Sequence, residues 1–129
     1  FTRFGPGTRT AFLESSRRHG DYALAGVAVA VDVADGVVVS ARAGFVSVTP
    51  VPLVLDLTPV LGGRDAGAPV PDEVTDAVRE FVDPEGDIHA TADYRRMLAA
   101  ELTRRALATA THPTPAADPA PTTAQESVA

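Results

Sequence analysis

A chain of 129 residues, 45% of them hydrophobic and 22% charged, has room for one small domain with a packed core. Because the chain contains no Cys, it offers no disulfide, no thiolate metal ligand and no cysteine nucleophile. A net charge of −6 argues against nucleic acid as a partner, and since no apolar run approaches the ~20 residues that cross a bilayer, we expect no membrane span and a cytoplasmic location.

The first predicted element is a short amphipathic helix over residues 9–19. Thr8 stands at its N-cap position, and Phe12 and Leu13 lie on its apolar side. Gly20 follows the last helical residue, where a glycine commonly ends a helix. We therefore expect the chain to enter the domain as a helix and to turn at this glycine.

Two β-branched-rich runs follow, over residues 23–33 and 37–48, and are predicted to pair as an antiparallel hairpin. A two-residue loop would place Val29 beside Arg42. A three-residue loop closed by a left-handed glycine places Val29 beside Ala41 and keeps the aliphatic side chains on one face. The side-chain pattern therefore favours the three-residue loop.

The second face of this hairpin is predicted to carry mostly small side chains, which let another surface approach the backbone closely. Its residues are Gly26, Ala28, Ala30, Ser40, Arg42 and Gly44. Two interpretations are open: a docking face, or a weakly packed solvent face in an alanine-rich chain.

The second half of the chain is predicted to be helical. An apolar stretch over residues 53–61 contains Pro59, so any helix there is expected to be short or irregular. Residues 72–82 have helical periodicity, and the longest helix is predicted over residues 91–110. The predicted apolar stripe of that last helix comprises Tyr94, Met97, Leu98, Leu102 and Leu107.

These elements predict an α+β domain over residues 1–111, in which a small antiparallel sheet (hairpin 23–33/37–48) is packed by the C-terminal helices. Residues 112–129 are rich in Pro, Ala and Thr and offer little apolar surface for burial. Ordering such a segment costs more conformational entropy than its burial returns. We therefore predict a disordered tail over these residues.

Two short patterns bring a carboxylate and an imidazole close together in sequence, His19-Gly20-Asp21 and Asp87-Ile88-His89. Such a pair can orient a histidine for acid–base chemistry. Neither pattern has a third partner nearby, and an Asp-x-His in a loop is more often a turn hydrogen bond. A small hydrolase or lyase that uses His19 or His89 therefore ranks last, and we predict no catalytic and no metal-ligating residue.

Repeated arginines are the main charge feature of the chain: Arg17-Arg18, Arg95-Arg96 and Arg104-Arg105. Solvated helix faces explain such pairs, for example through an ion pair one turn apart. The first pair differs because it directly precedes a glycine turn and Tyr22. That tyrosine is either a core residue or an exposed ring on which a flat ligand stacks.

The segment of residues 11–28, with Arg18-His19-Gly20-Asp21-Tyr22 at its centre, resembles the opening of a known domain. That domain is the C-terminal part of the FAD-binding medium subunit of carbon monoxide dehydrogenase and related xanthine dehydrogenase-type molybdenum hydroxylases. Residues 87–107 resemble its closing loop and helix, and Thr49-Pro50 stands where the family has a Thr-Pro. The resemblance spans about residues 6–110, although Pro52 and Pro59 interrupt a region that is a regular helix in the family.

The resemblance implies an oxidoreductase in which electrons pass from a molybdenum cofactor through 2Fe-2S clusters to FAD. The molybdenum cofactor would lie on a large partner subunit and the iron–sulfur clusters on a small one. The chain would complete the flavin pocket, with Tyr22, Asp21 and Arg18 as the FAD-binding residues, and would support subunit docking. The family's Gly-rich FAD loops belong to an N-terminal half that is absent here.

The chain by itself is therefore expected to be inactive. The alternative is a stand-alone, non-catalytic interaction module or a truncated remnant of that family. In the molybdenum hydroxylase, substrate identity would reside on the large subunit, so no residue of this chain would report it.

Overall fold

The computed structural model describes residues 3–112. The strands are β1 (Thr8–Ser16), β2 (Ala23–Ala34), β3 (Val37–Val46) and β4 (Leu53–Asp56), and the helices are α1 (Thr58–Leu61), α2 (Asp72–Phe81) and α3 (Ala92–Thr111). The strands form one antiparallel sheet in the order β1-β2-β3-β4. The predicted α+β class is confirmed, whereas the predicted tail, apart from His112, lies outside the described residues.

The chain enters the domain as a strand, and the helix predicted over residues 9–19 is wrong. β1 pairs with β2 from Thr8↔Asp32 to Ser16↔Ala23. An isolated helix of this length is marginal in water, whereas pairing with β2 gives hydrogen-bond partners to the backbone groups on the side of β1 that faces β2. Leu13 is turned toward the core and Phe12 toward solvent, which is the period-two alternation of a strand.

The β2–β3 hairpin has a two-residue loop, so the predicted three-residue loop and its register are wrong. Asp35 and Gly36 both have positive φ, 51° and 76°, as a tight two-residue hairpin loop requires. A bulge beside Asp32 then shifts the register, and Val29 lies beside Ala43, two positions beyond its predicted partner. Because the bulge restores the side-chain period, the predicted division of residues between the two faces is correct beyond it, but Val39, which was predicted on the core face, lies in the bulge and is exposed, and Val38 is buried instead.

Helices cover one face of the sheet and form the core with it. Its largest fully buried side chains include Phe45, Leu57 and Leu107. The predicted helix over residues 72–82 is confirmed as α2. The stretch of residues 53–61 contains a short helix, as predicted, but its first part is wrong as helix because it pairs with β3 and forms β4. Within residues 3–112, no helix combines the length and hydrophobicity needed to cross a membrane.

α3 buries mainly small side chains, so its predicted apolar stripe is only partly correct. Leu102 and Leu107 are buried as predicted, but Tyr94 and Met97 are more than two-fifths exposed. Small side chains bring this helix close to the sheet, namely those of Ala99, Ala100, Thr103, Ala106 and Ala110. Of the predicted large residues, only Leu102 and Leu107 join these small side chains in the buried core.

The outer face of the sheet is open among the described residues. It carries the predicted small side chains together with the exposed Phe12, Val46 and Val54. A Cβ on Gly26 would lie 2.7 Å from Val46 Cγ2 and 3.5 Å from Phe12 Cζ, so this glycine leaves room for both side chains over β2. The use of this face for docking stays a prediction.

Candidate functional site

A cleft of about 240 Å³ lies beside the turn that joins β1 to β2. The turn of residues 17–22 borders it on one side and the loop of residues 82–91, which leads into α3, on the other. The lining residues are Arg17, Asp21, Tyr22, Ala23, Leu24, Asp87, His89 and Arg95. The fold thus brings two of the predicted site residues, Asp21 and Tyr22, into one cleft with a distant segment of the chain.

Local hydrogen bonds shape the 17–22 turn. The Arg18 carbonyl accepts from Ser16 Oγ at 2.9 Å and from the Asp21 backbone N–H at 3.1 Å. Gly20 takes a φ of 81° there, which a glycine adopts without steric cost. Asp21 Oδ1 accepts from the Tyr22 backbone N–H at 2.8 Å.

The ring of Tyr22 is 93% exposed. Of the two interpretations that the sequence left open, the core residue is therefore excluded. Arg18, the third predicted site residue, is also exposed beside this turn but does not line the cleft.

Asp87 organises the opposite loop. Its Oδ1 accepts from the backbone N–H groups of His89 at 2.8 Å and Ala90 at 3.1 Å, and its Oδ2 accepts from Arg95 Nη2 at 2.8 Å. The His89 amide, the Arg95 guanidinium and the Ala90 amide together lower the pKa of Asp87 to about 2. The carboxylate therefore holds a turn together, which is the interpretation that the sequence favoured. It does not orient the neighbouring imidazole.

Arg95 is buried beneath the cleft, with only 7% of its surface exposed. Its Nη1 donates to the carbonyls of Leu24 at 2.7 Å and Ser47 at 3.0 Å. The prediction of a solvated helix face is wrong for this arginine. Helical periodicity could have predicted this burial. Arg95 precedes the buried Ala99 and Leu102 by four and seven residues and therefore lies on the same face of α3.

Arg17 and His89 meet at the cleft, where Arg17 Nη1 lies 3.3 Å from His89 Nδ1. In the part of the chain that the structure describes, no group of three or more His, Asp or Glu side chains is placed to hold a metal ion. The cleft instead offers an exposed aromatic ring, a cation and a rigid hydrogen-bonded floor. Such a surface can bind a planar ligand or another protein surface.

Acidification is expected to weaken the Asp87 turn. The folded-state pKa of about 2 lies below the ordinary value of 3.8, so the ionised carboxylate stabilises the fold above about pH 4, and this contribution is lost as the pH falls toward 2. Urea unfolding at about pH 6 and about pH 2.5 measures the loss.

Glu101 acts in the same direction, because hydrogen bonds from Arg104 and Arg105 lower its pKa to about 2. Asp87→Asn and Glu101→Gln should each reduce the loss of unfolding free energy on acidification. Comparing the two variants separates the contribution of one carboxylate from that of the other. Equal sensitivity of Asp87→Asn and the parent chain would contradict the assignment for Asp87.

A family model for the CO dehydrogenase flavoprotein C-terminal domain matches residues 10–110, a range that contains every residue lining the cleft. The caffeine dehydrogenase subunit beta of Pseudomonas sp. (strain CBB1) is 38% identical over 101 residues, which are 78% of this chain and 34% of that protein. The nicotine 6-hydroxylase medium subunit of Paenarthrobacter nicotinovorans is 34% identical over 95 residues, 73% of this chain and 34% of that protein. The chain thus spans about a third of the length of these curated relatives.

Solved structures share the fold. Reconstituted CO dehydrogenase from Oligotropha carboxidovorans superposes with a TM-score of 0.73 at 29% identity, covering 85% of this chain and 39% of that one. A carbon monoxide dehydrogenase from Hydrogenophaga pseudoflava gives 0.71 at 31% identity, with 83% and 38% covered. Quinoline 2-oxidoreductase from Pseudomonas putida 86 gives 0.66 at 27% identity, also with 83% and 38% covered.

Proposed function

Because the chain belongs to the family of CO dehydrogenase flavoprotein C-terminal domains, we propose that it completes the flavin pocket of an FAD-binding subunit in a molybdenum-containing hydroxylase or dehydrogenase. The rest of such a subunit supplies the loops that hold the FAD pyrophosphate. Partner subunits carry the molybdenum cofactor and the iron–sulfur clusters, from which electrons reach FAD. The part of this chain is to position the flavin, since the redox chemistry belongs to the cofactor.

Tyr22 carries the proposal. Its ring is 93% exposed, yet its backbone is fixed by Asp21 in a hydrogen-bonded turn. Stacking on the planar isoalloxazine ring would cover this aromatic face, in the offset geometry that aromatic pairs prefer. Ile88 on the opposite loop is equally exposed, so both loops that border the cleft present an apolar side chain to solvent.

The other predicted site residues act around that ring. Asp21 fixes the orientation in which Tyr22 leaves the turn, because its carboxylate accepts the Tyr22 backbone N–H. Arg18 anchors the same turn through its carbonyl, and its exposed side chain is proposed to contact FAD. The residues present therefore fit a flat, apolar group with polar edges, such as a flavin.

Substitution of Tyr22 tests the proposal in the complete complex that contains this chain. We expect Tyr22→Ala to raise the dissociation constant of FAD about 10-fold and to shift the flavin reduction potential. Thermal stability of the domain should not change, since the ring is exposed. FAD content, potentiometry and thermal unfolding of the purified complex measure the three effects.

Two further variants act as controls. Tyr22→Phe retains the ring face and should retain FAD, whereas Tyr94→Ala alters the only other tyrosine of the chain, half-exposed on α3, and should leave FAD binding unchanged. Parent-like FAD content and potential in a folded Tyr22→Ala complex would contradict the proposal.

The open sheet face favours a second candidate, an interaction module without a cofactor. Phe12 is 55% exposed there, and Val54 stands on the same face. Exposed apolar residues grouped on one face commonly mark a protein contact. The flavin measurements on Tyr22→Ala separate the candidates, because a cofactor-free module predicts no effect on FAD.

A further inference from the structure

We propose that Arg95 is a positioning residue for Tyr22, and that it acts by holding the 17–22 turn and the 82–91 loop in one arrangement. The inference rests on the proposed stacking of Tyr22 on flavin and adds to it a residue that lies beneath the cleft. Three acceptors on three separate segments carry it: the carbonyls of Leu24 and Ser47 and the carboxylate of Asp87.

The first acceptor lies at an irregularity in the sheet. Ser15 pairs with Ala25 and Ser16 with Ala23, so Leu24 is an extra residue on β2. A bulge of this kind interrupts the ladder and changes the direction of neighbouring side chains. Arg95 Nη1 gives the carbonyl of this buried residue a charged donor at 2.7 Å, two positions after Tyr22.

The second acceptor lies where the next strand ends. Pairing of β2 with β3 stops at Gly26↔Val46, and Ser47 leaves β3 with a φ of 63°. A serine rarely adopts this left-handed conformation unless its surroundings hold it there. Arg95 Nη1 reaches the Ser47 carbonyl at 3.0 Å and so joins two strand ends beyond their last paired residues.

The third acceptor brings in the opposite loop. Arg95 Nη2 and Asp87 Oδ2 form an ion pair at 2.8 Å, between a buried and a half-exposed side chain. The other oxygen of Asp87 accepts hydrogen bonds from the backbone N–H groups of His89 and Ala90. These are the two residues that follow the exposed Ile88. One guanidinium therefore ties the strand that leads away from Tyr22 to the loop on the other side of the cleft.

The planar fork of arginine suits this task and a lysine does not. Two Nη atoms serve three acceptors at once, whereas an ammonium group is a compact charge on a flexible stem. Arg95 Nε has no hydrogen-bond partner among the described residues, so the contacts come from the fork. Arg95→Lys therefore preserves the positive charge while it removes the geometry.

Hydrogen exchange of the complete chain provides the first measurement. We expect Arg95→Lys to speed exchange about 10-fold at the Asp21, His89 and Ala90 amides, while amides of α2 keep their protection. Arg105→Lys is the matched control, since Arg105 lies on the same helix and pairs with Glu101 at the surface; its loops should exchange as in the parent. Unchanged loop exchange in Arg95→Lys, or faster exchange throughout the core, would overturn the inference.

Flavin binding in the complete complex provides the second. Arg95→Lys should raise the dissociation constant of FAD several-fold and shift the reduction potential in the direction that Tyr22→Ala shifts it; because the charge is kept, such a shift reports geometry. Loss of FAD in Tyr22→Ala but not in Arg95→Lys overturns the positioning role alone. No loss in Tyr22→Ala overturns the flavin proposal and this inference with it.

A second variant keeps the inference testable if Arg95→Lys does not fold. Asp87→Asn removes the charged acceptor from the half-exposed side of the ion pair. The Asn side chain has one oxygen and cannot accept from both the loop amides and the guanidinium. Asp87→Asn should speed hydrogen exchange at the His89 and Ala90 amides and raise the dissociation constant of FAD. Parent-like exchange rates together with a parent-like dissociation constant would overturn the inference.

Discussion

Replacing Arg95 with methionine is expected to lower the free energy of unfolding by about 2–4 kcal/mol. The carbonyls of Leu24 and Ser47 lose hydrogen bonds from a charged donor. Each such bond contributes ~1.5–3 kcal/mol, and the desolvation cost of the buried guanidinium, which the variant no longer bears, offsets part of their sum. Methionine retains an unbranched chain at this buried position, so the loss of packing is small. Urea unfolding followed by far-UV circular dichroism measures the change.

Arg105→Met is the matched control for this stability effect. Arg105 lies on the surface of α3 with Nε 3.1 Å from Glu101 Oε1, and ion pairs of this kind contribute at most ~0.5 kcal/mol. If the two variants lose equal stability, the desolvation of the buried guanidinium cancels what its hydrogen bonds contribute.

Phe45→Ala should cost about 3–5 kcal/mol, the range for removal of a buried aromatic side chain. Phe45 is fully buried on β3 and its ring lies 6.2 Å from that of Phe81, centroid to centroid. The variant would leave a cavity beside Phe81, at the end of α2. Thermal and urea unfolding should both detect this loss of stability.

Phe12→Ala is the comparison for Phe45, because it removes the same ring from the open face of the sheet. Its side chain is 55% exposed, so the expected loss is about 1 kcal/mol or less. A loss as large as that of Phe45→Ala would indicate that the outer face is covered in solution, and would favour its interpretation as a docking surface.

The sequence allowed much of the fold to be predicted because the relevant signals are local. Period-two alternation divided the hairpin residues correctly between core and solvent except at the bulge, where Val38 is buried and Val39 exposed, and helical periodicity located α2 and α3. The sequence correctly predicted that α1 is short, although its Pro59 lies in the first turn, where proline is compatible with a helix. The resemblance in residues 11–28 and 87–107 identified the family.

Errors arose where a partner distant in sequence decides the conformation. Residues 8–16 have a weak preference of their own, and only the free edge of β2 makes them a strand. The hairpin register depends on a bulge that compensates for a tight loop, and the alternation of side chains is the same with either register. A pattern that fixes the faces of a strand therefore does not fix its register.

The candidate site divides along the same line. By itself the sequence determined the domain class, the family and the turn that holds Asp21 and Tyr22, since each depends on a local pattern of residue types. Only the tertiary structure decided that Tyr22 faces solvent and that Arg95 lies buried beneath the cleft. Burial depends on which segments pack together, and Arg95 is buried because its three acceptors come from strands and a loop between 8 and 71 residues away in the chain.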